Sequence, residues 1–133
     1  MKFSTVVKLV VLWAAVSVST AFGMDRWSAL SMLESGNNDY AVGHQGEVSR
    51  YQILPKLWPG GNPQNRQEAL AAAKEIMQVR LNHFEKINGR SANDFEFYVL
   101  WNAPWQMNHP SRTVAERAER YSNLVQHGEL ARR

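Results

Sequence analysis

The most constraining feature of the chain lies between Asn62 and Gly89. Leu70, Ala73, Met77, Leu81, Phe84 and Asn88 recur at helical spacing, with Ile76, Arg80 and Ile87 along the border of that stripe. Asn62-Pro63 reads as an N-cap followed by proline at the first helical position, and Gly89 as the stop. The other apolar runs follow the same period. Asp25 is placed to cap a helix from Arg26 to about Ser35, which Gly36 ends; Trp27, Leu30 and either Ser31 or Glu34 share its face. Ser91 and Asp94 resemble a capping box ahead of a short helix from Phe95 to Trp101. Thr113 and Glu116 suggest another, for a last helix that ends near Gly128 and turns Val114, Ala118, Tyr121 and Val125 to one side. No segment alternates apolar and polar residues over a sustained stretch, so the expected fold class is mainly α.

Between these helices the chain is irregular. Asn37 to Ser49 is a loop, in which Asn37, Asn38 and Asp39 favour turns and Gly43 and Gly46 give backbone freedom. Tyr51 to Leu57 is apolar and interrupted by Pro55, which suits either a short extended piece or a helical turn. Trp58-Pro59-Gly60-Gly61 is a break, and Pro104 and Pro110 bracket a second irregular segment.

The first residues read differently. Lys2 and Lys8 flank the start of an apolar run, Leu9 to Val18, and small residues precede Met24. This is the layout of a secretory signal peptide over residues 1–23, with cleavage after Gly23, or alternatively after Ala21. The run is shorter than the roughly 20 apolar residues of a membrane-spanning helix, so stable membrane insertion is not expected once the signal is removed. One domain, 24–133, would remain. Without Lys2 and Lys8 the 15 Lys and Arg residues become 13, against 12 Asp and Glu. A domain so near neutrality is not a nucleic-acid binder by charge. The chain has no cysteine, so packing must hold it, and five Trp, five Phe and four Tyr supply the bulk.

Glycine-rich phosphate loops, HExxH pairs and GxSxG elbows are absent. His44, His83, His109 and His127 lack ligand spacing, and no metal or cofactor is expected. One carboxylic acid stands out. Glu34 closes an apolar helix, where the helix dipole and partial burial both favour its protonated form. A carboxyl group that keeps its proton near neutral pH suits general acid catalysis.

Glu34-Ser35-Gly36, then Ala41-Val42, Gly46 and Gln52-Ile53, resembles the catalytic signature of the soluble lytic transglycosylases, a lysozyme-like family. Glu34 and Gln52 are 18 residues apart, as is common in that family. Leu100-Trp101-Asn102-Ala103-Pro104 stands where the family carries an Ala-Tyr-Asn-Ala-Gly run. The chain departs from the pattern at Ser49-Arg50-Tyr51, where the family has Gly-Leu-Met. It departs again at Trp101, which replaces a tyrosine whose hydroxyl holds the catalytic acid, and at Pro104, which replaces a glycine.

The resemblance implies a small lysozyme-like domain with a Gly/Asn-rich active-site loop, secreted or periplasmic, that cleaves the β-1,4 bond between N-acetylmuramic acid and N-acetylglucosamine in peptidoglycan glycan strands. Glu34 would be the catalytic acid, and Ser35, Gln52 and Asn102 would orient the acid and the sugar. Tyr51, Trp101 and Trp105 are further substrate-binding candidates, because aromatic rings stack on sugars; Trp101 is expected to pack under Glu34 and exclude water from it. Asp39 and Glu47 are the only other acids nearby in sequence. With one convincing acid, the expected mechanism draws its nucleophile from the substrate. Hydrolysis by a lysozyme in the narrow sense, or a wall-binding module without catalysis, are the alternatives.

Overall fold

The computed structural model describes residues 23–129. The signal peptide expected over 1–23 therefore lies, except for Gly23, outside the described residues. Among the described residues no helix is long and apolar enough to cross a membrane. The chain is mainly α, as the periodicity predicts. Its helices are α1 (Arg26–Ser35), α2 (Arg66–Asn88), α3 (Asp94–Asn102) and α4 (Arg112–His127). Short 3₁₀ turns at Pro55–Leu57 and Pro104–Gln106 fill the two proline-marked segments.

The shortest helix is the centre of the core. In α3, Phe97, Tyr98, Val99 and Leu100 are consecutive and all buried, so the helix is enclosed on every side. It packs most extensively on α4, through Val114, Ala118, Tyr121 and Leu124. Ala29 and Leu30 of α1 and the small residues Ala69, Ala72 and Ala73 of α2 complete the core with Met77 and Phe84. Aromatic contacts join the layers: Phe97 stacks on Tyr121 with ring centroids 5.7 Å apart, and Trp27 meets Phe97 edge-on at 5.5 Å. With no disulfide, such burial carries the fold. Each large apolar side chain contributes about 1.5–3 kcal/mol.

Helix ends follow local chemistry, with three shifts from expectation. Asp25 caps α1 by accepting from the Trp27 and Ser28 amides, and Gly36, Gly89 and Gly128 close α1, α2 and α4 in the left-handed conformation. The long helix, however, starts at Arg66 rather than Pro63. Asn62 Oδ1 accepts from the Gln64 amide and turns the chain, and Asn65 is the true N-cap. The capping box before α3 is Asn93 with Glu96, not Ser91 with Asp94, because there both reciprocal bonds form. Ser111, not Thr113, caps α4 by accepting from the Val114 amide, while Glu116 pairs with Arg112 instead.

The loop between α1 and α2 folds back on itself twice. Val48 pairs with both Val42 and Ile53 in isolated antiparallel bridges, so three short extended pieces lie side by side. Ser49 is 2% exposed and sits at φ 71°, in the left-handed region that favours glycine. The backbone there takes the shape a glycine would take, and Ser49 Oγ supports it by accepting from the Tyr51 amide at 3.2 Å.

Candidate active site

Glu34, the penultimate residue of α1, is brought against α3 and α4. Its side chain is only 11% exposed. Tyr98 of α3 donates its hydroxyl hydrogen to Glu34 Oε1 at 2.8 Å. Arg117 of α4 donates through Nε to the Tyr98 oxygen at 2.7 Å and through Nη2 to the same Glu34 oxygen at 3.4 Å. The direction of this chain is fixed. A guanidinium can only donate, and a phenol has one hydrogen, so the Tyr98 hydrogen must face Glu34. Oε1 is thus occupied as an acceptor, and a proton on Glu34 belongs on Oε2.

Electrostatics favour a proton there more than on an exposed carboxyl group. Burial raises the Glu34 carboxyl above its ordinary value; the Arg117 charge and the Tyr98 hydrogen bond pull it down without cancelling the rise, and nearby Glu47 adds to it. A carboxyl group left more basic by its surroundings can give up a proton at higher pH than an exposed one.

Glu34 lies at one wall of a cleft of about 800 Å³, which Gln52, Trp101, Asn102 and Trp105 also line. The structure therefore brings five of the seven sequence-predicted residues to one place. Trp101 is half-buried and Trp105 is 80% exposed at the rim. Ser35 and Tyr51 stand apart. Ser35 Oγ donates to the Arg50 carbonyl at 2.7 Å and accepts from the Asn38 amide at 3.0 Å, so it ties the loop to the helix end. Tyr51 is buried, packs edge-on to Trp27 at 6.5 Å and faces a separate hollow. Its neighbour Gln52 points into the cleft instead. Asp39 pairs with Arg50 and Arg66, away from the cleft, whereas Glu47 lines it.

No family model, characterised protein or solved structure matches this chain. Among the described residues no cluster of three or more His, Cys, Asp or Glu is placed to hold a metal ion.

Sequence reasoning missed Tyr98, Arg117 and Arg80. The hydroxyl that bonds Glu34 belongs to Tyr98, one helical turn before Trp101 on α3. Arg117 borders the apolar stripe of Val114, Ala118 and Tyr121, a position that lets a cation lie half-buried beside a core helix. Arg80 donates to the carbonyls of Leu100 and Trp101 at 2.9 and 2.8 Å. It thereby closes the end of α3 and holds the Trp101–Asn102 wall of the cleft in place.

Proposed function

We propose that this protein is a glycosidase that cleaves the β-1,4 bond between N-acetylmuramic acid and N-acetylglucosamine in peptidoglycan, with Glu34 as proton donor. The observation that carries the reading is the Arg117–Tyr98–Glu34 chain: a buried carboxyl group held through one oxygen, its second oxygen left for a proton, at the wall of a cleft edged by tryptophans and amides. Those are the groups a glycan needs, since sugar rings stack on aromatic faces and hydroxyl and acetamido groups pair with amides.

In the proposed reaction Glu34 Oε2 gives its proton to the glycosidic oxygen, and the bond from that oxygen to the anomeric carbon breaks. Glu34, now a carboxylate, takes a proton from the muramic acid 6-hydroxyl, whose oxygen closes on the anomeric carbon. The product is a 1,6-anhydromuramic end, and no water is consumed. One observation favours a second outcome: Glu47 lines the same cleft, and water-using glycosidases employ two carboxylates. The substrate implies a secreted or periplasmic site of action.

The test is incubation of the protein with purified cell-wall sacculi. Release of soluble muropeptides supports the reading. A folded protein that binds sacculi and releases nothing overturns it in favour of a wall-binding module.

A further inference from the structure

Gln52 and Glu47 both close over the bare Cα of Gly43. Gln52 Nε2 donates to the carbonyls of Ser49 at 2.9 Å and Ala41 at 3.3 Å. Both amide hydrogens are thus spent on the main chain. This fixes the orientation of the carboxamide and turns Oε1 away from those carbonyls. Glu47 Oε2 accepts from the Gln45 amide at 2.9 Å, which pins the carboxylate over the same turn. A methyl group on Gly43 would strike both Glu47 Oε2 and Gln52 Oε1, so the two oxygens close over one bare Cα. Gln52 Oε1 and Glu47 Oε1 receive no hydrogen bond among the described residues.

Gln52 Oε1 and Glu47 Oε1 are therefore left as acceptors without a donor, and a polar atom that gains its partner only when a ligand enters contributes to binding rather than to the fold. The cleft that both residues line is where a ligand would bring one. Resting on the glycosidase reading, we propose that Glu47 and Gln52 form an acceptor pair that binds one O–H or N–H donor of the glycan, which makes Glu47 a specificity-determining residue. Gly43 is part of the device, because any side chain there would strike both groups. Glu47 contributes a charge-assisted bond, the stronger of the two.

The proposal separates binding from stability. Glu47→Gln keeps the size of the side chain and, through its amide oxygen, can still accept from the Gln45 amide, but it loses the charge. The bond that pins the loop is thus kept, and the protein should be about as stable as before while binding glycan less well. A contact that merely holds the loop together would show the opposite on stability. Gly43→Ala should also lower affinity: the atoms it displaces are the ends of side chains, so the fold can accommodate it.

The experiment is calorimetric titration of the N-acetylglucosamine tetramer into full-length Glu34→Gln protein, which cannot turn it over, and into the same protein carrying Glu47→Gln or Gly43→Ala. Affinity should fall at least about tenfold in both double variants, the loss of one charge-assisted bond, with no fall in melting temperature for Glu47→Gln. The acetamido N–H resonance of the bound sugar identifies the donor. A shift that depends on Glu47 assigns it to the N–H, and loss of affinity without one assigns it to a hydroxyl. Equal affinity in all three proteins overturns the acceptor pair and leaves the glycosidase reading standing. A Glu34→Gln protein that binds no tetramer also overturns the pair, and the wild-type digest of sacculi then decides separately whether the reading survives.

Discussion

The Tyr98 hydroxyl stands 2.8 Å from Glu34 Oε1 although the two residues are 64 positions apart. That bond orients the carboxyl group, and Arg117, which donates to the Tyr98 oxygen, fixes its direction.

Tyr98→Phe tests the orienting role. The hydrogen bond from Tyr98 lowers the Glu34 pKa, so its loss should raise that pKa further. The alkaline limb of the pH–rate profile, where the acid loses its proton, should move to higher pH. Activity at the optimum should fall roughly tenfold, about 1.4 kcal/mol, because the proton is no longer confined to Oε2. An unmoved alkaline limb with full activity would show that Tyr98 only packs.

Arg117→Met should move the same limb in the same direction, since the Arg117 charge is the largest influence opposing the rise. Titration of Glu34 by carboxyl-resolved NMR in the two variants checks both shifts without relying on turnover. A lowered Glu34 pKa in Arg117→Met contradicts the assigned electrostatics.

Glu34 should also leave a mark on stability. Its folded-state pKa is raised above the ordinary 4.5, so between those two values the folded protein holds more protons than the unfolded one. Stability therefore falls as pH rises through that window, and the cost is fully present above it. Glu34→Gln, which mimics the neutral acid, should melt higher than wild type at neutral pH, and the gain should shrink as pH drops below 4.5. Thermal melts across pH check this; a gain that grows in acid contradicts the raised pKa.

The local half of this site was legible in the sequence, and the long-range half was not. Asp25 and Gly36 bound α1 through their own side-chain and backbone chemistry, so the position of Glu34 at a helix end could be read directly. Gln52 and Asn102 were found by motif order. Tyr98 and Arg117 were missed because each also fits an ordinary core or helix-border position, and only the packing of α4 on both α3 and α1 aims them at Glu34. The shifted caps at Asn65, Asn93 and Ser111 have a similar origin. Each lies near another plausible cap, and turn geometry at Asn62 or reciprocal bonding at Glu96 decides between them.

Ser49 offers a test of the loop. Ser49→Ala keeps a side chain at φ 71° and loses the bond to the Tyr51 amide, whereas Ser49→Gly loses the bond and relieves the strain. Ser49→Gly should be more stable than Ser49→Ala by about 1 kcal/mol, measured by denaturant unfolding. The reverse order would place the loop in another conformation.

Trp105, 80% exposed at the cleft rim, contributes little to the core. Trp105→Ala should change stability by less than about 0.5 kcal/mol and weaken binding to sacculi by roughly tenfold, about 1.4 kcal/mol, for a lost stacking surface. Co-sedimentation with sacculi, read beside a thermal melt, separates the two effects.

The central claim is that Glu34 moves a proton to the glycosidic oxygen. The direct measurement is the rate and mass of muropeptides released from purified sacculi by wild type and by Glu34→Gln protein of matched fold. The expected result is a fall of at least about a hundredfold in the variant, with wild-type products that end in 1,6-anhydromuramic acid, one water lighter than reducing ends. Undiminished release by folded Glu34→Gln would contradict the assignment of Glu34 as the acid.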